Sequence, residues 1–310
     1  MNNIIKYSNK IFNIAGFSIE VIINDESMEC YIPFVFDSFV VYKSEKIDYK
    51  LYLGKNSDTI YNYKKLTNSV FVENGNYLIE NENRYHITYR IFDNWNSWNL
   101  ISNSCEYTQN ENNTNWIFVN KENNEIMTHP VAASIYDWTA ILGNIFAYSI
   151  LNKDAIVFHG VIVEYNGVGF IISADSGVGK TTHARLWRDT KNALIINGDR
   201  AVCKKENGEW YIYGSPWSGT SGECINRKVP LKSIVMLEQY PTNEVEKLDS
   251  YTSNLKLMER AFVPYWDSNC VNKALDTISL LVDEVDIFKL KCNVSEDAVD
   301  VLYNAIFNLK

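Results

Sequence analysis

Apolar positions fall into two regimes along the chain. Up to about residue 128 they form short runs in which β-branched and aromatic residues partly alternate with polar ones, at 17–23, 49–53, 69–72, 85–91 and 116–119. A period of two marks half-buried strands. Polar stretches such as Glu73-Asn74-Gly75-Asn76 and Asn110-Glu111-Asn112-Asn113 separate them as turns. The pattern predicts a β-rich domain over residues 1–128, built on an antiparallel sheet.

From Pro130 onward the apolar residues move to helical spacing, from Ala132 to Trp138 and from Leu142 to Leu151. This predicts a largely buried junction helix at about 131–152 that opens a second domain, 129–310. Apolar runs at 155–160 and 161–165 follow as strands, and Asn166-Gly167 is a hairpin signal into a third at 170–173. Helical character begins at Lys180, and a strand is expected at 193–196. Glu206-Asn207-Gly208 divides a hairpin of 201–205 and 209–213, and 231–238 reads as a core strand. The remainder predicts helices at 255–262 and 271–282, a strand at 285–290, and a last helix whose Ser295-Glu296-Asp297 start reads as a cap.

The run Ser173 to Thr182 states a chemistry. It joins the strand at 170–173 to the helix at Lys180, the context a nucleotide-phosphate loop requires. Gly177 and Gly179 can take positive φ and turn backbone N–H groups toward phosphate oxygens. The first turn of the helix adds unpaired N–H groups and the positive end of its dipole. Asp175, Ser176, Gly177, Val178, Gly179, Lys180, Thr181 and Thr182 are the candidate nucleotide-binding residues. Lys180 supplies a cation for the β- and γ-phosphates and the Thr181 hydroxyl a ligand for Mg²⁺. Ala174 stands where the pattern G-x-x-x-x-G-K-[ST] has its first glycine, and it is small enough to allow close backbone approach.

Phosphoryl transfer also needs a carboxylate, to hold Mg²⁺ or to accept the proton of the attacking hydroxyl. Asp199, past the strand that follows the loop helix, is the best-placed candidate, against an ordinary turn aspartate. His159, at a strand end, reads as a structural hydrogen-bonder or as a polar partner in the reaction centre. Arg200 reads equally as a phosphate clamp or as a partner for Asp199. The Gly- and hydroxyl-rich stretch 214–223 is an exposed linker or an ordered active-site loop, and Trp217 favours the second. Glu223 is a candidate second metal ligand, Glu238 a rival carboxylate, and Arg227 and Lys228 candidate phosphate neutralisers or solvated cations.

Charge and composition narrow the partners. A formal net charge of −9 argues against nucleic acid and anionic membrane as partners, and no run approaches the ~18 apolar residues needed to span a bilayer. The six cysteines, at 30, 105, 203, 224, 270 and 292, show neither C-x-x-C pairing nor metal-ligand spacing. Reduced thiols in a cytoplasmic protein are the expectation, and self-association is left open.

Together, Val157-Phe158-His159-Gly160, the loop Ala174 to Thr181 and Asn197-Gly198-Asp199-Arg200 resemble the nucleotide-binding domain of HPr kinase/phosphorylase, over roughly residues 150–305. The resemblance implies an α/β fold with α+β character, a phosphoenolpyruvate-carboxykinase-like P-loop core with a more antiparallel sheet than ordinary doubly wound NTPases, here preceded by the β-rich domain. It implies ATP and Mg²⁺ as cofactors and a serine acceptor on a protein. It gives Lys180 and Thr181 the phosphates and metal, His159 a place beside the catalytic carboxylate, and Asp199 the second position of an Asp-Asp pair. The chain departs from the family at Gly198, the first position of that pair, at Thr182, where glutamate is usual, and at Ser215 to Gly219, where the family has Arg-Gly-Leu-Gly. These departures fit a relative that accompanies peptide-modification cassettes and phosphorylates a serine on a peptide or small protein, or a nucleotide-binding regulator without chemistry.

Overall fold

The computed structural model describes the backbone of residues 8–23, 34–53, 71–73, 76–81, 84–90, 100–101, 114–120, 125–129, 135–263, 265 and 268–308. Side chains are described over 9–23, 35–51 and 142–308, apart from 145, 152, 264, 266 and 267. The chain divides into two compact units, Met1–Ile141 and Leu142–Lys310.

The described residues of the first unit form one ten-stranded sheet. Its strands are β1 (Ser8–Ile14), β2 (Phe17–Ile23), β3 (Val40–Val41), β4 (Tyr49–Leu53), β5 (Phe71–Glu73), β6 (Asn76–Asn81), β7 (Arg84–Arg90), β8 (Leu100–Ile101), β9 (Thr114–Asn120) and β10 (Glu125–His129). They pair in the order β3-β1-β2-β4-β10-β9-β7-β6-β5, with β8 on β7. The sheet is mixed, which corrects the antiparallel expectation: β4 runs parallel to both β2 and β10. Antiparallel neighbours need only a tight turn, such as Ala15-Gly16 between β1 and β2, both at positive φ. A parallel neighbour needs a crossover, and the chain from β2 to β4 passes through the 3₁₀ helix Phe34–Phe39. Positions 69–70, Asn74-Gly75, the turn at 110–113, and Cys30 and Cys105 lie outside the described residues.

The second unit combines strands and helices. Its strands are β11 (Ala155–His159), β12 (Val161–Tyr165), β13 (Val168–Ser173), β14 (Leu194–Asn197), β15 (Arg200–Glu206), β16 (Glu209–Tyr213), β17 (Lys228–Gln239), β18 (Glu244–Lys247) and β19 (Asp286–Cys292). Its helices are α2 (Lys180–Lys191), α3 (Ser250–Arg260), α4 (Ser268–Glu284) and α5 (Glu296–Phe307), while α1 (Ile135–Ile150) runs across the division between the units. The strand order is β11-β15-β16-β17-β13-β12-β14, with β19 on β17 and β18 on β19. β17 organises this sheet. Its start pairs antiparallel with β16, and from Leu231 onward it runs parallel to β13 and then to β19.

β12, β13 and β17 are continuous apolar runs because both faces of the sheet are covered. Ile162, Ile171, Ile234 and Met236 face Leu257 of α3 and Ile278 and Leu281 of α4. Their neighbours Val161, Val163, Phe170, Ile172, Val235 and Leu237 face Ala184 and Trp187 of α2 and Leu302 of α5. A side-chain period of two sorts one strand onto two cores. Two details differ from expectation. β18 carries a single apolar residue, Val245, and forms only as an edge partner of β19. Ser295 occupies the N-cap position of α5, but its hydroxyl accepts from Asn243 Nδ2 at 3.0 Å and makes no cap. Cys203, Cys224, Cys270 and Cys292 are free thiols. No helix among the described residues is long and apolar enough to cross a membrane.

Candidate active site

β13 ends at Ser173, whose hydroxyl donates to the His159 carbonyl at 2.7 Å, and α2 begins seven residues later at Lys180. Between them the chain turns through Gly177 (φ 81°) and Gly179 (φ 110°), conformations that cost a side-chain-bearing residue dearly. A Cβ on Gly177 would meet nothing within 4 Å, so its need is conformational and the outer side of the loop is open. Ala174 is buried, which explains a small residue at the base of the loop. The first intrahelical bond of α2 is His183 N–H to Gly179 O at 2.9 Å. The N–H groups of Lys180, Thr181 and Thr182 therefore have no acceptor within the helix.

The Lys180 side chain folds back under this loop. Its Nζ donates to the carbonyls of Ala174 (3.0 Å) and Asp175 (3.1 Å) and lies 2.9 Å from His159 Nε2. On the other side of the ring, His159 Nδ1 is 3.2 Å from Asp199 Oδ1. With Lys180 charged and donating to Nε2, the ring proton is assigned to Nδ1 and points at the carboxylate. Burial pulls the Lys180 pKa below its ordinary value, against the opposing pull of the Asp199 charge. The strand end, the loop helix and the turn after β14 thus meet in one chain, Asp199–His159–Lys180.

Asn197, wholly buried at the end of β14, builds the turn that carries Asp199. Its side-chain oxygen accepts from the N–H of Asp199 (2.9 Å) and of Arg200 (2.8 Å), and its amide donates to Ser215 O (2.7 Å) and Trp217 O (3.2 Å). One side chain therefore ties the Asp199 turn to the 214–223 loop. That loop is ordered: Ser215 and Trp217 are buried, and Trp217 stacks on Phe146 at 5.0 Å. Gly219 lies so close to Asp199 that a Cβ there would fall 3.0 Å from its Cγ. Gly198 is hemmed in more tightly, since a Cβ on it would fall 1.7 Å from Ser221 Oγ. Arg200 is buried, its Nη1 donates to Asn144 Oδ1 (3.0 Å), and its Nε stands 3.9 Å from Asp199 Oδ2.

No family model and no curated protein matches the chain. Among solved structures it is similar to the HPr(Ser) kinase/phosphatase from Coxiella burnetii, at 10% identity over 48% of this chain and 95% of that one, with a TM-score of 0.28. A likeness this distant assigns no residue a role.

The remaining candidates have charged partners of their own. Glu223 faces α2, with Oε1 3.6 Å from Arg185 Nε and 3.5 Å from Arg188 Nη1. Glu238 pairs with Lys289 at 2.9 Å. Arg227 is engaged by Glu164 and Lys228 by Glu206. Among the described residues no group of three or more His, Cys, Asp and Glu side chains gathers as a metal cage. Asp175, exposed on the loop, pairs with Arg260 Nη1 at 2.5 Å. Asn197 entered the sequence reading only as part of the Asn-Gly-Asp-Arg run and Ser221 only as part of the 214–223 loop, neither with a role of its own, and nothing local marked Arg260.

Proposed function

We propose that the chain is an ATP- and Mg²⁺-dependent phosphotransferase that moves the terminal phosphoryl group of ATP to a serine hydroxyl on a peptide or small protein. The observation that carries this reading is the chain Asp199–His159–Lys180, which joins a proton acceptor to a phosphate-directed cation. Open glycine backbone over a helix start suits a polyphosphate. Mg²⁺ commonly takes one or two carboxylates together with phosphate oxygens, so the lack of an all-protein cage among the described residues is compatible with Thr181 and Asp199 as its protein ligands. When bound, the ion offsets charge on the phosphates.

The chain's own groups divide the work. Loop N–H groups and Lys180 hold the phosphates and stabilise the charge of the transferring group. Asp199 accepts the proton of the serine hydroxyl as its oxygen bonds to phosphorus and the bond to the departing diphosphate breaks. His159 holds Asp199 and Lys180 in register, so its ring is a positioning element. The glycine-rich loop 214–223 packs against the Asp199 side chain at Gly219.

The test uses γ-labelled ATP with candidate peptides encoded beside the gene. Wild type is expected to transfer label to serine, with Asp199→Ala slower by ~10²–10⁴-fold, the worth of a placed general base, and Lys180→Ala impaired in both binding and transfer. Nucleotide binding without transfer or hydrolysis overturns the enzyme in favour of a nucleotide-binding regulator.

A further inference from the structure

β13, β17 and β19 run parallel, so their carboxyl ends open on one edge of the sheet. Ligands of open α/β sheets bind outside such ends. At this edge lies a cleft of about 570 Å³, a size typical of small-molecule sites. One end of it is the loop backbone at 177–179, the backbone that turns over the start of α2. Its walls are Leu186 of α2, Tyr240 just past β17 and Val294 just past β19. The loop and the cleft share a wall, because Gln239 Nε2 at the end of β17 donates to Val178 O at 3.0 Å.

The lining is unlike the loop in charge. No Asp, Glu, Lys or Arg belongs to it among the described residues. Neither ring nitrogen of its one imidazole, His183, has a hydrogen-bond partner among the described residues. Buried polar groups are normally paired, and a neutral imidazole offers one donor and one acceptor. Tyr240 and Val294 are large apolar side chains left 45% and 74% exposed at the cleft. An uncharged, half-apolar cleft continuous with a phosphate-directed loop suits whatever uncharged group the phosphates carry.

We propose that this cleft holds the sugar and base of the nucleotide, with the flat base lying against Tyr240 and Val294. The inference rests on the phosphate-loop reading, and two ligands separate the two ideas: ATP, and inorganic tripolyphosphate, which has phosphates but no base. By calorimetry, wild type is expected to bind ATP about tenfold tighter than tripolyphosphate, as one base–aromatic contact supplies. Tyr240→Ala and the double variant Tyr240→Ala/Val294→Ser, both at exposed positions, are expected to bring ATP close to tripolyphosphate and leave tripolyphosphate within about twofold. Illumination with 8-azido-ATP is expected to label residues 240–241 or 292–294. ATP affinity unchanged in both variants, or label confined to other segments, overturns the cleft while Lys180→Ala still weakens both ligands. Wild type binding neither ligand, or Lys180→Ala without effect on either, overturns the phosphate loop and the cleft with it.

Discussion

The Ser221 hydroxyl occupies the place where a side chain on residue 198 would begin: a Cβ on Gly198 would lie 1.7 Å from Ser221 Oγ and 2.7 Å from Ser221 Cβ. The φ of Gly198 is not among the positive values, so glycine is demanded there by space. The turn carrying Asp199 and the loop over it are therefore shaped for each other, and a carboxylate at 198 has no room while Ser221 stays. Gly198→Asp is expected to lower stability by about 1–3 kcal/mol, the usual cost of overfilling a packed site, without raising phosphoryl transfer. Adding Ser221→Gly is expected to recover part of that loss, since contacting positions are not additive. Thermal unfolding of the two single variants and the double variant checks this, and simple additivity would show that the two side chains do not compete.

Asn197 carries a larger share than its place in a turn suggests. Truncation to alanine removes the acceptor for two N–H groups and the donor for two carbonyls, all at a fully buried position. Arg200 N–H also donates to Trp217 O at 3.3 Å and Ser215 O also accepts from Cys224 Sγ at 3.0 Å, so the loss falls mainly on the Asp199 N–H, and one buried group left unsatisfied costs about 1–3 kcal/mol. Urea denaturation is expected to show a loss in that range for Asn197→Ala. Because the freed turn carries Asp199 and not the loop proposed to hold the phosphates, transfer should fall more than ATP affinity does. Equal losses in both would place the effect in general unfolding.

How much of this was legible depends on sequence distance. The strand, loop and helix from Ser173 to Lys180 were readable because two glycines, a lysine and the apolar run before them are adjacent. The hairpins at Asn166-Gly167 and Asn207-Gly208 were readable for the same reason, and both pairs adopt the positive φ their types favour. The parallel pairing of β4 was not readable, because register between distant strands leaves no local mark. The same holds for Asn197, whose partners in the loop lie 18 and 20 residues away, and for Arg260, 85 residues from Asp175. Alternation told which strands are buried but not which helix covers each face.

Burial holds the His183 pKa down to about 4 from its ordinary 6.5. A folded pKa below the unfolded one means that the unfolded chain takes the proton first as pH falls. Stability is then undiminished above about 6.5, falls as pH drops from there to about 4, and levels off below. The gap corresponds to roughly 3 kcal/mol. His183→Leu removes this titration, so the difference in stability between variant and wild type is expected to move in favour of leucine as pH falls from 7 to 4.5. Denaturant midpoints across that range measure it; a pH-independent difference would mean that the ring is solvated in the folded chain, and a shift in favour of wild type that it is held charged there.

Arg260 reaches the glycine loop before α2 from the end of α3 and is held there by Asp175, whose carboxyl it keeps below the usual range through their hydrogen bond. An ion pair with one partner 72% exposed contributes little to stability, about 0–1 kcal/mol. On the proposed function its use lies in where it parks a guanidinium, a group suited to bidentate phosphate recognition. Arg260→Ala is expected to weaken ATP binding about tenfold, Arg260→Lys less, and both to melt within a few degrees of wild type. Asp175→Asn releases the guanidinium without removing it, so ATP affinity is expected to hold or to rise. Calorimetric titration of the three variants distinguishes this from a plain loop clasp, in which Asp175→Asn and Arg260→Ala would lose affinity alike.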